Sequence, residues 1–217
     1  MFARIASFVL LALLAGCGGQ EEAKKAPAAN AAVNAVAPAP EPLPDTVRVR
    51  IETEAGTIVV ALDAKRAPVT AANFVRYARE GRFDGTAFYR ASRTAGQPGR
   101  GFIQGGIRRN SRRMLPPIAH EPTSETGLRH ETGTISMARA DEGAGAMGDF
   151  FITLNRIPAM DASRGEPGYA AFGRVVEGLD VARRILAAPT VANAGRGAMR
   201  GQMLADPVRI VTARVVE

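Results

Sequence analysis

Val47-Arg48-Val49-Arg50-Ile51-Glu52-Thr53-Glu54 alternates apolar and polar residues along its whole length. Side chains of an extended chain point to opposite faces in turn, so this is the period of a strand with one buried face. Such a face needs a partner. Ala55-Gly56 supplies a turn, and residues 57–62 form a second run rich in β-branched side chains, which predicts a hairpin. Similar short runs recur at 86–91, 102–104, 134–138, 150–154, 171–176 and 207–216, separated by segments rich in Gly and Pro. Helical spacing occurs twice. After Pro68, Val69, Ala72, Phe74, Val75 and Ala78 share a face, with Thr70 or Asp63 to serve the helix start and Gly81 to end it. In residues 179–188, Leu179, Ala182, Ile185 and Leu186 do the same. Strands outnumber helices and do not alternate with them, which argues against βαβ winding. The pattern predicts a mainly β fold, a closed or nearly closed antiparallel barrel with two covering helices.

Composition narrows the chemistry. Hydrophobic residues make up 46% of the 217, enough to exclude wholesale disorder. The single Cys excludes an intrachain disulfide and a thiolate metal cluster. With only two His, His120 and His130, no metal site is expected. Lys and Arg number 28 against 21 Asp and Glu, a formal net charge of +7.

The N-terminus reads as an address. Arg4 precedes an apolar run at residues 5–15, too short for a permanent membrane helix but suited to a signal-peptide core. Leu14-Ala15-Gly16-Cys17 follows, and the chain's sole Cys ends it. This resembles the lipobox of bacterial lipoproteins, which implies cleavage after residue 16, lipidation of Cys17 and anchoring in a lipid bilayer. Gly18 rather than Asp follows the Cys, and by resemblance to enterobacterial sorting rules this favours the outer membrane over the inner one. Residues 18–45 contain nine Ala, five Pro and no aromatic residue. They cannot bury enough surface to offset ordering entropy, and read as a tether. The expected organisation is a signal peptide at 1–16, lipidated Cys and tether at 17–45, and one folded domain at 46–217.

Within that domain, five segments stand in order. They are Phe88-Tyr89-Arg90, Phe102-Ile103-Gln104-Gly105-Gly106, Gly133-Thr134-Ile135-Ser136-Met137-Ala138, Phe150-Phe151-Ile152, and Phe172-Gly173-Arg174-Val175-Val176-Glu177-Gly178-Leu179-Asp180. Together with Asn73-Phe74 they resemble the cyclophilins, prolyl cis/trans isomerases built on an eight-stranded antiparallel barrel with two helices. The resemblance spans residues 47–217. It implies a peptidyl-prolyl cis/trans isomerase without a cofactor, acting on proline-containing unfolded or extended polypeptides.

That chemistry suits the residues present. Amide resonance puts a barrier of about 18–20 kcal/mol on rotation. Lowering it requires an apolar slot for the proline ring and donors aimed at the twisted amide, not a nucleophile, so the reading relies on no Ser-His-Asp or Cys-His set. The resemblance makes Arg90 the principal donor and Gln104 its catalytic partner, with Phe151 in the proline slot. Strand alternation sends Phe150 and Phe151 to opposite faces, one to the core and one to the groove. Phe102 lines the slot whether Gly101 or Phe102 holds the family's Phe position. Met160 and Tyr169 also match slot positions. Ala138-Arg139-Ala140 matches a backbone edge that bonds the residue before proline, with Arg139 in place of Asn.

The chain departs from the family's pattern in three places. Residues 91–103 are about six longer than in short cyclophilins, and 92–100 are expected to form a loop beside the groove. Asp149 replaces a Gln, and a carboxylate there could pair with Arg90 or Arg139, orienting the site or competing with substrate. Ala159 stands at the drug-contacting Trp position, which implies weak cyclosporin binding. Gly143-Ala144-Gly145-Ala146-Met147-Gly148 fits G-x-G-x-x-G, but a strand rather than a helix is expected after it, so it is read as a groove-edge loop. Residues 90–113 hold seven Arg and no acid. In an exported protein nucleic acid is a poor partner for them; a solvated loop and an attraction to acidic clients or anionic lipids both remain open. The expected role is to assist folding of exported proteins as a periplasm-facing monomer of the bacterial envelope. The alternative is a peptide-binding envelope chaperone with little or no isomerase activity. A scaffold barrel would show neither binding nor catalysis.

Overall fold

The computed structural model describes residues 43–108, 110–139 and 146–216. The signal peptide, Cys17, nearly all of the tether, Ala140 and the first half of the glycine motif, residues 143–145, lie outside the described residues.

The hairpin forms as the alternation requires. β1 (Thr46–Thr53) and β2 (Gly56–Asp63) pair antiparallel from Thr46↔Asp63 to Thr53↔Gly56, and Val47, Val49, Ile51 and Thr53 turn inward. β3 (Ala87–Thr94), β4 (Gln97–Gly106), β5 (Thr134–Met137), β6 (Asp149–Thr153), β7 (Ala171–Glu177) and β8 (Met203–Val216) complete a closed barrel in the order β1-β2-β7-β5-β6-β4-β3-β8. All neighbouring pairs are antiparallel. Eight strands leave an interior just wide enough to be filled by side chains. Val49, Ile58, Val60, Leu62, Phe88 and Ile103 fill it here. A ligand site therefore has to lie outside the barrel.

Two long helices cover the barrel. α1 (Pro68–Arg79) packs on β1, β2, β7 and β8, and α3 (Leu179–Ala187) on β2, β3 and β4. A single extra turn, α2 (Thr123–Thr126), carried no periodic signal. The buried face of α1 is rotated from the expected one. Ala71 and Tyr77 are buried beside Phe74, while Val69 and Ala72 are only half-buried. The aromatic ring of Phe74 decides this: it lies 4.9 Å from Phe83, 5.2 Å from Phe150 and 5.3 Å from Phe172, centroid to centroid. Neither Thr70 nor Asp63 caps this helix. The carboxylate of Glu121 does, accepting the N–H groups of Val69 and Thr70 at 3.0 and 2.8 Å and the Thr70 hydroxyl. Gly81 ends it in the left-handed region at φ 62°.

Residues 92–100 are not a loop. β3 and β4 continue past the groove as a hairpin turning at Ala95-Gly96. Arg93 ties it down by donating to the carbonyl oxygens of Leu186 and Ala188 at the end of α3. Gly96 supplies the turn, and one register irregularity falls between Arg93 and Thr94 in an otherwise extended ladder.

Candidate active site

β3 carries a bulge that aims Arg90. Phe88 pairs with Gly105 and Arg90 with Gln104, so Tyr89 is the extra residue against β4; against β8 the register jumps from Val208 at Phe88 to Met203 at Arg90, and the extra residues lie on β8. One extra residue reverses the alternation beyond it. Phe88 and Ala91, three apart, both enter the core, and Arg90 is left on the outer face. In a regular strand Arg90 would share the face of Phe88.

The register then places the other groups. Arg90 stands opposite Gln104, Gln104 opposite Phe151, and Phe151 opposite Ser136, a single row across β3, β4, β6 and β5. Phe150 joins Phe74, Phe83 and Phe88 in the core, and Phe151 faces the other way, against Phe102 and Tyr169 at 5.4 and 5.3 Å. Gly101 has φ +139°, and a Cβ there would fall 1.9 Å from the carbonyl oxygen of Ser92, so only Phe102 can present a ring.

Arg90 is fixed from two sides. Its Nη1 donates to Gln104 Oε1 at 2.8 Å and its Nε to Gln202 Oε1 at 2.9 Å, with Cζ 4.9 Å from the Phe102 ring centroid. Burial lowers its basicity below that of an ordinary arginine, yet a guanidinium stays charged in proteins. Gln104 Nε2 donates to the Tyr89 hydroxyl at 2.9 Å, and that hydroxyl donates to Asp149 Oδ1 at 3.3 Å. Burial first, then the Asp149 carboxylate, pushes the Tyr89 phenol well above its usual range, so it remains a donor. The same Asp149 oxygen accepts the N–H of Arg108 at 2.8 Å. The expected pairing of Asp149 with Arg90 or Arg139 is thus replaced by a role in orienting Tyr89 and Gln104.

All nine residues singled out from the sequence, Arg90, Phe102, Gln104, Ala138, Arg139, Asp149, Phe151, Met160 and Tyr169, line one groove of about 900 Å³. The N–H of Ala138 is already taken by the carbonyl oxygen of Asp149 at 2.9 Å and is not a donor for a peptide. No local pattern in the sequence marks the far wall, residues 194–196, 198 and 199 with Met203, Leu204 and Pro207. No group of three or more His, Cys, Asp or Glu gathers as a metal site among the described residues.

The family described as cyclophilin type peptidyl-prolyl cis-trans isomerase/CLD matches residues 48–215. The chain belongs to the cyclophilins. It is 38% identical over 142 residues to peptidyl-prolyl cis-trans isomerase A of Dickeya dadantii, covering 64% of this chain and 71% of that one. With peptidyl-prolyl cis-trans isomerase cyp18 of Streptomyces antibioticus the identity is 34%, over 77% of this chain and 98% of the relative. With isomerase B of Escherichia coli it is 32%, over 78% and 99%. Among solved structures, a Cryptosporidium parvum cyclophilin type isomerase, crystallised in the presence of the dipeptide Ala-Pro, superposes with a TM-score of 0.62 at 21% identity, over 78% of this chain and 99% of that one.

One further feature of this cyclophilin groove was not anticipated. Behind Phe151 lies His130, stacked on its ring at 5.7 Å and 13°. Nδ1 of His130 is 2.7 Å from Asp161 Oδ1, and Nε2 is 2.9 Å from Ser136 Oγ. The chain therefore does hold a Ser-His-Asp set, but His130 and Ser136 are fully buried under Phe151 and cannot meet a substrate carbonyl. Burial lowers the pKa of His130 and Asp161 only partly opposes it. A neutral ring that donates from Nδ1 and accepts at Nε2 satisfies all three groups and holds Phe151 upright.

Proposed function

We propose that this chain catalyses cis/trans isomerisation of X–Pro bonds in extended or unfolded polypeptides at the Arg90–Gln104–Phe151 row. The family and its named relatives support the activity, and the row carries the assignment of the site. Phe151, Phe102 and Met160 offer an apolar seat for the proline ring, which fixes one end of the amide. Arg90 is the catalytic residue. As the bond twists, resonance is lost and the prolyl nitrogen regains a lone pair. A guanidinium held by Gln104 and Gln202 needs little reorganisation to donate there, in a site partly closed to water.

The proposed setting is the envelope of a Gram-negative-type bacterium. There a signal at 1–16 would be removed, Cys17 acylated, and the domain at 46–217 presented to the periplasm as a monomer on a tether, assisting exported proteins. The lipobox residues and the Ala/Pro composition support this reading, and more than one acyl chain would give stable anchoring.

The decisive experiment is NMR exchange spectroscopy of a short X-Pro peptide with the native chain and with Arg90→Ala. Acceleration largely lost in the variant is the expected result. Peptide binding without acceleration would assign the chaperone alternative. Mass spectrometry of the membrane fraction should find a diacylglyceryl adduct on Cys17, and Cys17→Ala should release the protein from it.

A further inference from the structure

The groove is positively charged to a degree that its chemistry does not need. Arg90, Arg108, Arg139 and Arg196 line it, against one acid, Asp149, among the described residues. Only Arg90 is used in the proposed reaction. Asp149, whose Oδ1 accepts the Tyr89 hydroxyl and the Arg108 backbone N–H, offsets only one of these four charges.

Two of these guanidiniums are positioned rather than loose. Cζ of Arg139 lies 5.4 Å from the ring centroid of Tyr169, and Cζ of Arg108 lies 5.4 Å from that of Tyr89. A ring face holds a cation by its quadrupole without consuming its N–H donors. Neither guanidinium donates a hydrogen bond to another described residue, so both forks are open to an acceptor from outside. Tyr169 packs edge-on against Phe151 at 5.3 Å, and Tyr89 is bonded to Gln104. The two arginines are therefore attached to the walls of the same slot, within a residue or two of any proline seated on Phe151.

We infer that this groove selects prolines flanked by acidic side chains, with Arg139 and Arg108 as the specificity-determining residues. The inference rests on the proposed reading of the groove as the X–Pro site. A carboxylate beside the proline would be met by a planar fork suited to bidentate contact. A lysine there would meet like charge and be disfavoured, so discrimination comes from repulsion as well as attraction.

The test uses the full chain in nonionic detergent with peptides that differ only at the residues flanking proline, Glu, Gln or Lys. Glu and Gln are nearly isosteric, so their ratio isolates charge. At low ionic strength Glu peptides should exceed Gln peptides about fivefold in kcat/KM and in affinity, with Lys peptides lowest. The ratio should shrink toward one in 1 M salt, where screening acts within about 3 Å. In the double variant Arg139→Gln/Arg108→Gln the ratio should approach one at any salt. Equal binding of Glu and Gln peptides by the native chain would overturn the inference, as would a preference that the double variant keeps. If no peptide is isomerised, the isomerase reading fails, and the affinity ratio still decides the charge preference. If Glu and Gln peptides bind alike but phosphatidylglycerol in the micelles displaces them, the arginines face lipid headgroups and the inference is overturned.

Discussion

Arg90 and Gln202 are 112 positions apart in the chain, and Nε of Arg90 donates to Oε1 of Gln202 at 2.9 Å. Gln202 is itself held, its Nε2 donating to the carbonyl oxygen of Ala198 at 2.8 Å. The segment that carries it runs just ahead of β8, so the last strand of the barrel and the bulge in β3 together orient one guanidinium. Gln104 fixes Nη1 and Gln202 fixes Nε, which leaves Nη2 without a hydrogen bond to any described residue.

Removing one of the two holds should cost rate rather than binding. Gln202→Leu keeps the size of the side chain and deletes the acceptor. We expect kcat to fall roughly tenfold with KM little changed, because a misplaced donor is felt mainly in the transition state. The urea midpoint should stay near that of the native chain, since Gln202 is not in the core. Steady-state kinetics on one X-Pro peptide measure this, and an unchanged kcat would show that Gln104 alone positions Arg90.

The burial of His130 makes a pH prediction. Its folded pKa is lowered, so below about pH 6.5 the unfolded chain binds a proton that the folded chain resists. Stability contributed by neutral His130 is present above that pH and is lost as pH falls through the folded pKa. Glu80, Asp84 and Asp180 also have lowered values, but they start from 4.5 or 3.8 and act lower. The urea midpoint should therefore decline from pH 7 to pH 5, and His130→Asn should flatten that decline. Parallel slopes in the two proteins would place the pH-sensitive group elsewhere.

What the sequence made legible follows from the range of each signal. Period-two alternation is local and marked β1, and short apolar runs marked the other strands, although β4 and β8 begin at Gln97 and Met203, ahead of the runs at 102 and 207. The site residues on β3, β4 and β6 were readable because they sit inside short segments that resemble a family. Gln202, Arg108 and the Glu121 cap were not readable: each acts across 40 or more positions, and no local pattern marks such a partner. Residues 92–100 form a hairpin rather than the expected loop because Thr suits a strand and one Gly suits its turn. The Ser136–His130–Asp161 set was missed because three ordinary residues become a set only when the barrel closes.

Glu121 offers a clean test of a distant cap. It satisfies two of the four orphan N–H groups at the start of α1, and Pro68 at the first helical turn lacks a third. Glu121→Ala leaves Val69, Thr70 and the buried Thr70 hydroxyl without this acceptor. We expect a loss of about 1–2 kcal/mol in unfolding free energy by urea titration. Isomerase activity of the folded variant should be retained, because α1 supports the core and does not line the groove. A variant as stable as the native chain would mean that water caps the helix equally well.

Gly101 joins the added hairpin to the groove. It sits at φ +139°, its N–H donates to Asn155 Oδ1 at 2.6 Å, and its carbonyl oxygen accepts the N–H of Leu154 at 2.8 Å. Any Cβ would meet the Ser92 carbonyl oxygen at 1.9 Å, a backbone atom that cannot swing aside. Gly101→Ala must therefore part β3 from β4 next to Phe102 or abandon the positive φ, and either costs of order 2 kcal/mol or more. Phe102 is the adjoining residue, so its ring should move from Phe151 and from Arg90 together. The expected outcome is a lower urea midpoint and, in the fraction still folded, a raised KM from a widened proline seat. Amide chemical shifts should change at Ser92, Phe102 and Leu154 and stay unchanged in β1 and β2. An unaltered KM in a folded variant would show that the proline seat does not depend on the position of Phe102.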